Sequence, residues 1–228
     1  MDIRIDSLLV GAARAIGTVV IIDVFRAFTT AAVLLAHGAE KIIMVGDVEE
    51  ALTLRSAGAG HLVAGEVGGR APPGFDLSNS PFEAAHASVE GLTIIQRTSA
   101  GTQGIVAARQ AEQLYAGSFV TAEATAHAMA RQRPADVTLV AMGDNGVTRT
   151  DEDELCAIYL RNLLQGRPGG VRAIRDVVLA SARATDLCDP AKSHFHPGDV
   201  DIALDVDRYD FAVRVAKEAG RLVARRAP

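Results

Sequence analysis

The feature that most constrains the fold is an alternation of short apolar runs with alanine-rich stretches. Residues 18–25 read TVVIIDVF and residues 41–45 read KIIMV, with AFTTAAVLLAHGA between them. An unbroken apolar run is typical of a strand that is covered on both faces. The alanine-rich stretch has the length of a helix and closes at Gly38. The alternation therefore predicts an α/β fold, with a mainly parallel sheet flanked by helices and residues 18–25 at its centre.

The same pattern extends along the chain. Further strands are predicted at residues 61–66, 92–96, 113–118, 136–142 and 200–206. Further helices are predicted at about residues 47–58, 81–88, 102–111, 121–132 and 171–182, with another that begins after Thr150. The segment 211–226 is a helix or a hairpin turning at Gly220, and the alternation in VRV and RLV favours the hairpin. We expect a single unit over residues 1–228, with two lobes of about 1–145 and 146–228 as an open alternative.

Composition excludes several classes of function. Lys and Arg total 23 against 28 Asp and Glu, a net charge of −5, and no basic stripe is present, so a nucleic-acid partner is not expected. No apolar stretch approaches the roughly 18 residues that span a membrane. Cys156 and Cys188 stand far apart, which suits a reducing compartment, and the first residues lack a basic signal-peptide region. We expect a cytoplasmic protein with no membrane partner.

Polar residues gather where the predicted strands end. Ligands of open α/β sheets bind beyond the carboxyl ends of strands, so these residues are candidates for a site. They are Asp23, Arg26, Glu66, Arg70, Asp76, Asn79, Arg97, Thr98, Ser99, Thr102 and the acids of residues 151–153. Each has an ordinary structural alternative as a helix cap, a surface residue or a favourable charge at a helix N-terminus. Residues of these types at four strand ends are stronger evidence for a functional site than any one of the residues alone.

Together these residue types indicate phosphoryl chemistry. A turn of glycines and hydroxyls that opens a helix exposes N–H groups to an anion, and arginine adds a two-point donor for phosphate. Carboxylates without histidine or cysteine partners favour Mg²⁺. A GxxxxGK[ST] loop and a GxSxG elbow are absent. An aspartate phosphatase of the haloacid dehalogenase type needs a second Asp two residues after the first, and Phe25 stands there.

Five segments carry a family resemblance: VVIIDVFRAFTTA, GEVGGRAPPGFDLSNSP, RTSAGTQGI, DEDELCA and FHPGDVDIALDVDRYDFAV. In order and approximate spacing the chain resembles the 2-phosphosulfolactate phosphatase family (ComB-like proteins), and GFDxxNSP is the most specific of the motifs. The resemblance implies a two-lobed α/β architecture and a Mg²⁺-dependent phosphatase. It also implies the substrate 2-phospho-3-sulfolactate, which becomes 3-sulfolactate on the route to coenzyme M.

The resemblance and the strand-end positions together assign roles to individual residues. The expected catalytic residues are Asp23, Arg26, Glu66 and Asp76. The expected substrate-binding residues are Arg70, Asn79, Ser80, Arg97, Thr98, Ser99, Gly101 and Thr102. The expected Mg²⁺ ligands come from Asp23, Glu66, Asp76, Glu152 and Asp153. Arg26 and the backbone N–H groups of residues 99–102 are expected to bind the phosphoryl oxygens, the alternative being an Arg26 that only braces its turn through a salt bridge.

Three positions depart from the family pattern. Val67 stands where an arginine is expected, Ser78 where a glycine is expected, and Ala100 where an asparagine is expected. The loss of a cation and an amide beside the ligand keeps three alternatives open: a non-catalytic small-anion binding protein, a phosphatase for another organic-acid phosphate, and a phosphotransferase. A homo-oligomer also stays open. The expected partner is in every case a small anionic phosphorylated molecule.

Overall fold

The computed structural model describes residues 1–167 and 169–228. Its strands are β1 (Asp2–Ser7), β2 (Gly17–Ile22), β3 (Lys41–Val45), β4 (Leu62–Gly65), β5 (Thr93–Arg97), β6 (Ala111–Gly117), β7 (Asp136–Ala141), β8 (Ala212–Glu218) and β9 (Arg221–Ala227). Its helices are α1 (Leu8–Arg14), α2 (Ala27–Ala36), α3 (Val48–Ser56), α4 (Pro81–His86), α5 (Gly101–Ala107), α6 (Ala122–Arg131), α7 (Asp151–Leu164), α8 (Val171–Leu179), α9 (Ala182–Leu187) and α10 (Pro197–Ala203).

These strands form one sheet, in the order β1-β7-β2-β6-β8-β9-β3-β5-β4. The first four are parallel neighbours, and β3, β5 and β4 form a second parallel group. The hairpin β8–β9 lies between the two groups and pairs antiparallel with β6 on one side and β3 on the other. The prediction of an α/β fold with a mainly parallel sheet flanked by helices is confirmed, and so is the C-terminal hairpin, whose turn contains Gly220 at φ +83°.

The β8–β9 hairpin determines the relative direction of the two parallel groups of strands. Three antiparallel pairings in succession separate β6 from β3, so the two parallel groups run in opposite directions along the sheet. The sheet is therefore mixed, a feature that the alternating pattern did not predict. Residues 212–227 also share this sheet with strands from before residue 145. The suggested boundary between two lobes stays a prediction.

Strand β2 lies inside the sheet, between β7 and β6. Val19 and Ile21 pack in one apolar cluster, while Val20 and Ile22 pack in another, and all four are fully buried. Alternate side chains of a strand point to opposite faces, so this division is what a strand covered on both faces requires. Each such side chain contributes about 1.5–3 kcal/mol of burial free energy. The prediction of a central, buried strand is confirmed.

Helix α2 follows β2 after a turn at residues 23–26 and is buried almost all round, from Ala27 to Leu35. A helix that is apolar on every side belongs in the interior, where it packs between other elements. Here it contacts α4, α5 and β6, and it holds the turn at residues 23–26 in place. Across residues 1–167 and 169–228, no helix has both the length and the apolar character that crossing a bilayer demands.

The predictions were wrong for several segments. Residues 200–206 were predicted as a strand, but α10 covers Pro197–Ala203. Pro197 stands at the first helical position, where its missing N–H is tolerated, and the His196 side chain caps the helix by accepting from the Gly198 N–H. The predicted helix 171–182 corresponds to α8, which ends at Leu179, and helix α9, which Ser181 caps, was not predicted. Strand β1 and helix α1 were not predicted.

Candidate functional site

A cleft of about 190 Å³ lies where the ends of β2, β4, β5 and β7 meet the segment after α8. It is smaller than the roughly 300–1,000 Å³ of pockets for drug-sized ligands, so it suits a small molecule. Its lining residues are Asp23, Phe25, Arg26, Glu66, Gly68, Gly69, Asn79, Ser99, Ala100, Gly143, Asp144, Asn145, Arg183 and Phe195. Three acidic residues and two arginines therefore line this small volume.

Asp23 follows β2 directly and is 5% exposed. Its Oδ1 accepts a hydrogen bond from the Ala27 N–H at 3.0 Å. Burial raises the pKa of Asp23 to about 6, and the charge of Glu66 adds to the shift. A Cβ at position 101 would lie 2.8 Å from Asp23 Oδ2, so glycine is required where α5 approaches this carboxylate. Asp23 is a carboxyl group that changes its charge close to neutral pH.

Glu66 follows β4 and joins two loops of the cleft. Its Oε1 accepts the Ser99 N–H at 2.5 Å, and its Oε2 accepts the Gly69 N–H at 2.8 Å. The Ser99 hydroxyl also donates to Oε2 at 3.2 Å. The carboxylate therefore ties the loop after β4 to the turn that opens α5, and it presents its charge toward Asp23.

Arg26 forms a buried ion pair with a residue that the sequence analysis had not singled out. Its Nη1 lies 2.8 Å from Asp199 Oδ2, and the two side chains are 2% and 0% exposed. Asp199 Oδ1 also accepts the Ser80 hydroxyl at 2.5 Å and the Phe82 N–H at 3.0 Å. The bracing salt bridge considered for Arg26 exists, with Asp199 rather than Asp23, and Arg26 lines the cleft as well. The segment FHPGDVDIA contained the signal for Asp199, but its prediction as a strand concealed the helix that presents it.

The acids at the start of α7 point into the protein. Asp153 is buried, and its two oxygens accept the N–H groups of Val24 at 2.7 Å and Gly143 at 2.8 Å. Burial raises the pKa of Glu152 to about 7, and its Oε2 has no hydrogen-bond partner among the described residues. These two acids are therefore more than surface charges at a helix N-terminus. Neither lines the cleft, although both interact electrostatically with Asp23.

The turn that opens α5 is arranged differently from the expected anion cradle. The Ser99 N–H donates to Glu66, and the Thr102 N–H donates to the Thr98 hydroxyl at 3.0 Å. Thr98 N–H in return donates to the Thr102 hydroxyl at 2.8 Å. Because these donors are already engaged within the protein, the idea that the N–H groups of Ser99 and Thr102 bind phosphoryl oxygens needs correction. Gly101 lacks a side chain, and this allows the turn to approach Asp23 closely.

Four other expected site residues lie outside the cleft. Asp76 accepts the Val63 N–H at 2.8 Å and pairs with Arg55 at 2.6 Å, so it does not join Asp23 and Glu66. Arg97 donates to the carbonyl oxygens of Gly46 and Glu66 and braces the loops. Arg70 is exposed and, with Ser80, lines a neighbouring depression. Strand-end position selected these residues, but side-chain direction excluded them.

Asn79 reaches the cleft and is 4% exposed. Its Oδ1 has no hydrogen-bond partner within the described residues. A buried polar atom without a partner is unfavourable by about 1–3 kcal/mol, so this oxygen is available to a donor or a cation that enters the cleft.

Sequence reasoning missed Arg183, Phe195, Asp144 and Asn145 as cleft residues. Asp144 and Asn145 belong to the GDNG turn after β7, to which the sequence analysis assigned no role. Arg183 lies on α9, and Phe195 lies between α9 and α10. No motif marked Arg183, since a single arginine on a short helix has no pattern of its own.

The oxygen atoms of the cleft match what Mg²⁺ prefers as ligands. Within the described residues, no group of three or more His, Cys, Asp and Glu side chains has metal-ligand geometry. Mg²⁺ usually keeps several waters and takes only one or two carboxylates, so it does not need such a group. Asp23 and Glu66 supply carboxylates, and the unpartnered Asn79 Oδ1 supplies a third oxygen. These residues fit a hydrated Mg²⁺, whereas Asp153 does not line the cleft.

The comparisons with known proteins identify the family to which the chain is similar. The family model described as 2-phosphosulpholactate phosphatase matches residues 7–196. The probable 2-phosphosulfolactate phosphatase of Carboxydothermus hydrogenoformans is 42% identical over 146 residues, which are 64% of this chain and 60% of the relative. Proteins of the same name from Thermotoga petrophila and Bacillus subtilis are 36% and 32% identical, over 68% and 64% of this chain and 67% and 64% of the relatives.

The chain thus spans about three fifths to two thirds of the length of the curated relatives it matches. The family match covers most of the chain and includes every cleft residue from Asp23 to Phe195. The chain therefore belongs to the 2-phosphosulpholactate phosphatase family.

Proposed function

We propose that the protein is a phosphatase that hydrolyses a small anionic organic phosphate, with 2-phospho-3-sulfolactate as the substrate. The observation that carries this proposal is the meeting of two buried carboxylates, Asp23 and Glu66, with Arg26 and Arg183 in one small cleft. Phosphoryl transfer depends mainly on positioning and on charge stabilisation, and such a cleft provides both. The names of the relatives support the same substrate. The proposed setting is a coenzyme M-type biosynthetic step in the cytoplasm.

In the proposed mechanism Arg26 binds the phosphoryl oxygens. One of its nitrogens is held by Asp199 at 2.8 Å and another donates to the Gly69 carbonyl at 3.3 Å. A guanidinium has five N–H donors, so donors remain for a ligand after both contacts are made. Because Asp199 is itself held by Ser80 and Phe82, the guanidinium has a fixed direction. Fixed donors favour transition-state stabilisation since they need little rearrangement when charge develops.

Asp23 handles the proton in this mechanism. A pKa of about 6 lets its carboxyl group take a proton from an attacking water or return one to the leaving oxygen near neutral pH. Glu66 holds together the loop after β4 and the turn that opens α5. A Mg²⁺ held by Glu66 and Asn79, with Asp23 in contact through water, would supply neutralisation of the charge on the phosphoryl group. Direct attack by water and a phosphoaspartate intermediate are both compatible with these roles.

A second candidate is a non-catalytic protein that binds small anions. The engagement of the Ser99 and Thr102 N–H groups favours it, because the expected phosphate cradle is partly occupied by the protein itself. Val67 is 47% exposed and supplies no charge at a position where the family pattern has an arginine. Both candidate functions use the same cleft. They differ because only the phosphatase would hydrolyse the ligand that it binds.

The test is the release of inorganic phosphate from 2-phospho-3-sulfolactate and from p-nitrophenyl phosphate, with Mg²⁺ and with a chelator. The proposal expects turnover that depends on Mg²⁺ and favours the sulfonated substrate. An Asp23→Asn protein purified in the same way controls for contaminating phosphatases. Tight binding of phosphate esters by the wild type with no turnover above that control would favour the second candidate.

A further inference from the structure

Arg183 occupies a place in the cleft that the strand-end motifs did not indicate. Its guanidinium carbon lies 5.6 Å from the centroid of the Phe195 ring, and that of Arg26 lies 4.8 Å from the same centroid. The two cations thus share one aromatic ring and lie at most about 10 Å apart. A ring in contact with two guanidinium groups stabilises both through cation–π attraction. Phe195 therefore sets the spacing between two positive charges that line the same cleft.

The two arginines differ in how far their charges are already compensated. Arg26 is paired with Asp199 at 2.8 Å in a completely buried environment. The acid paired with Arg183 is Asp144, whose Oδ1 lies 3.6 Å away, beyond hydrogen-bond distance. Within the described residues, Arg183 makes no side-chain hydrogen bond, and its side chain is 26% exposed against 44% for Asp144. Arg183 thus has a fork of donors that a ligand can engage with little competition.

We propose that Arg183 is a specificity residue that binds a second anionic group of the substrate, while Arg26 binds the phosphoryl group. The inference rests on the proposed function and deepens it. It assigns the cleft to molecules with two anionic ends, such as an acid phosphate whose second group is a carboxylate or a sulfonate. An arginine fork matches the planar or branched oxygens of such groups with two parallel hydrogen bonds.

A different role for Arg183 is compensation of the nearby acids, since its charge lowers the pKa of Asp23 and of Glu152. In that case removal of the Arg183 charge would reduce the binding affinity for every anionic ligand by the same factor. A specificity role instead predicts a selective effect on ligands with two anionic ends. The two roles are therefore separated by a matched pair of ligands that differ only in the second anion.

The experiment measures binding of phosphonoacetate and of methylphosphonate by calorimetry. Neither can be hydrolysed as a phosphate ester, so the result does not depend on turnover. The wild type is expected to prefer phosphonoacetate, and Arg183→Gln is expected to reduce this preference about tenfold to hundredfold. Arg183→Lys keeps the charge but loses the fork, so it should recover only part of the preference. Arg172→Gln, at an exposed arginine on α8, is the matched control.

An unchanged preference in Arg183→Gln, in a variant that keeps the wild-type melting temperature, would overturn the inference. So would an equal loss of affinity for both ligands. If the wild type shows the preference and Arg183→Gln loses it, but no phosphate ester is hydrolysed, the inference stands while the proposed catalytic function fails. A wild type that binds neither ligand would overturn both.

Discussion

Replacing Asp23 with Asn is expected to abolish phosphatase activity and yet to stabilise the metal-free protein at neutral pH. Burial raises the pKa of Asp23 from 3.8 to about 6, so the folded state favours the protonated carboxyl group. The stability associated with that proton is fully present below about pH 4 and is lost as the pH rises through about 6. A shift of about two units corresponds to roughly 3 kcal/mol for a fully buried group. Asn carries no charge and keeps the oxygen that accepts the Ala27 N–H.

We therefore expect Asp23→Asn to raise the free energy of unfolding at pH 8 by about 2 kcal/mol, somewhat below the limit of roughly 3 kcal/mol because the amide must also be desolvated. The difference should shrink toward zero near pH 4. The assay is urea unfolding with a chelator present, at several pH values between 4 and 8. Phosphate release is measured on the same preparations.

Asp6→Asn is a matched control of opposite sign. Two hydrogen bonds of 2.8 Å from Arg14 lower the pKa of Asp6, so its charged form is favoured in the folded state. This contribution is present above its unfolded pKa and is lost as the pH falls, so Asp6→Asn should be destabilised at pH 8 and not at low pH. If Asp23→Asn were less stable than the wild type at pH 8, or if its effect did not change with pH, the reasoning about the buried charge would be wrong.

Three further predictions follow from the cleft. Mg²⁺ at saturating concentration should raise the melting temperature of the wild type at pH 8 more than that of Asp23→Asn, as thermal unfolding would detect; equal shifts would argue against Asp23 as a ligand. Arg26→Lys should lower kcat/KM about 10²–10³-fold, because Lys keeps the charge beside Asp199 but loses the fork, and steady-state kinetics on a variant with wild-type melting temperature checks this. Gly101→Ala should destabilise by about 1–3 kcal/mol, because the new Cβ would lie 2.8 Å from Asp23 Oδ2. Urea unfolding compares it with Gly170→Ala, where the nearest atom would lie at 3.7 Å and little change is expected.

The sequence was sufficient to predict those elements in which the order of apolar and polar residues fits only one secondary structure. Strand β2 was predictable because its apolar run is unbroken, and the structure buries Val19, Val20, Ile21 and Ile22 completely. The C-terminal hairpin was predictable because its side chains alternate. Residues 200–206 were not, since VDIALDV also satisfies a strand pattern and the helix depends on Pro197 and the His196 cap before it. A pattern of apolar and polar residues therefore predicts an element reliably only where a single type of secondary structure fits that pattern.

The candidate site was predicted in part for a similar reason. Asp23, Arg26, Glu66, Asn79 and Ser99 stand at strand ends and line the cleft. The same rule also selected residues that the structure places elsewhere, such as Asp76 and Arg97. Strand-end position identifies the edge of a sheet, but the direction of a side chain depends on which N–H groups and carbonyls its neighbours present.

The sequence by itself determined that β2 is buried, that strands and helices alternate along most of the chain, and which strand ends carry acids, arginines and hydroxyls. The tertiary structure alone decided that these ends meet, because β8 and β9 separate two parallel groups that run in opposite directions. In a flat sheet the ends of β2 and β5 would then lie at opposite edges. Helix α5 follows β5 but packs against β2 and α2, and this packing brings Gly101 against Asp23. Arg183 and Phe195, from a distant part of the chain, complete the cleft.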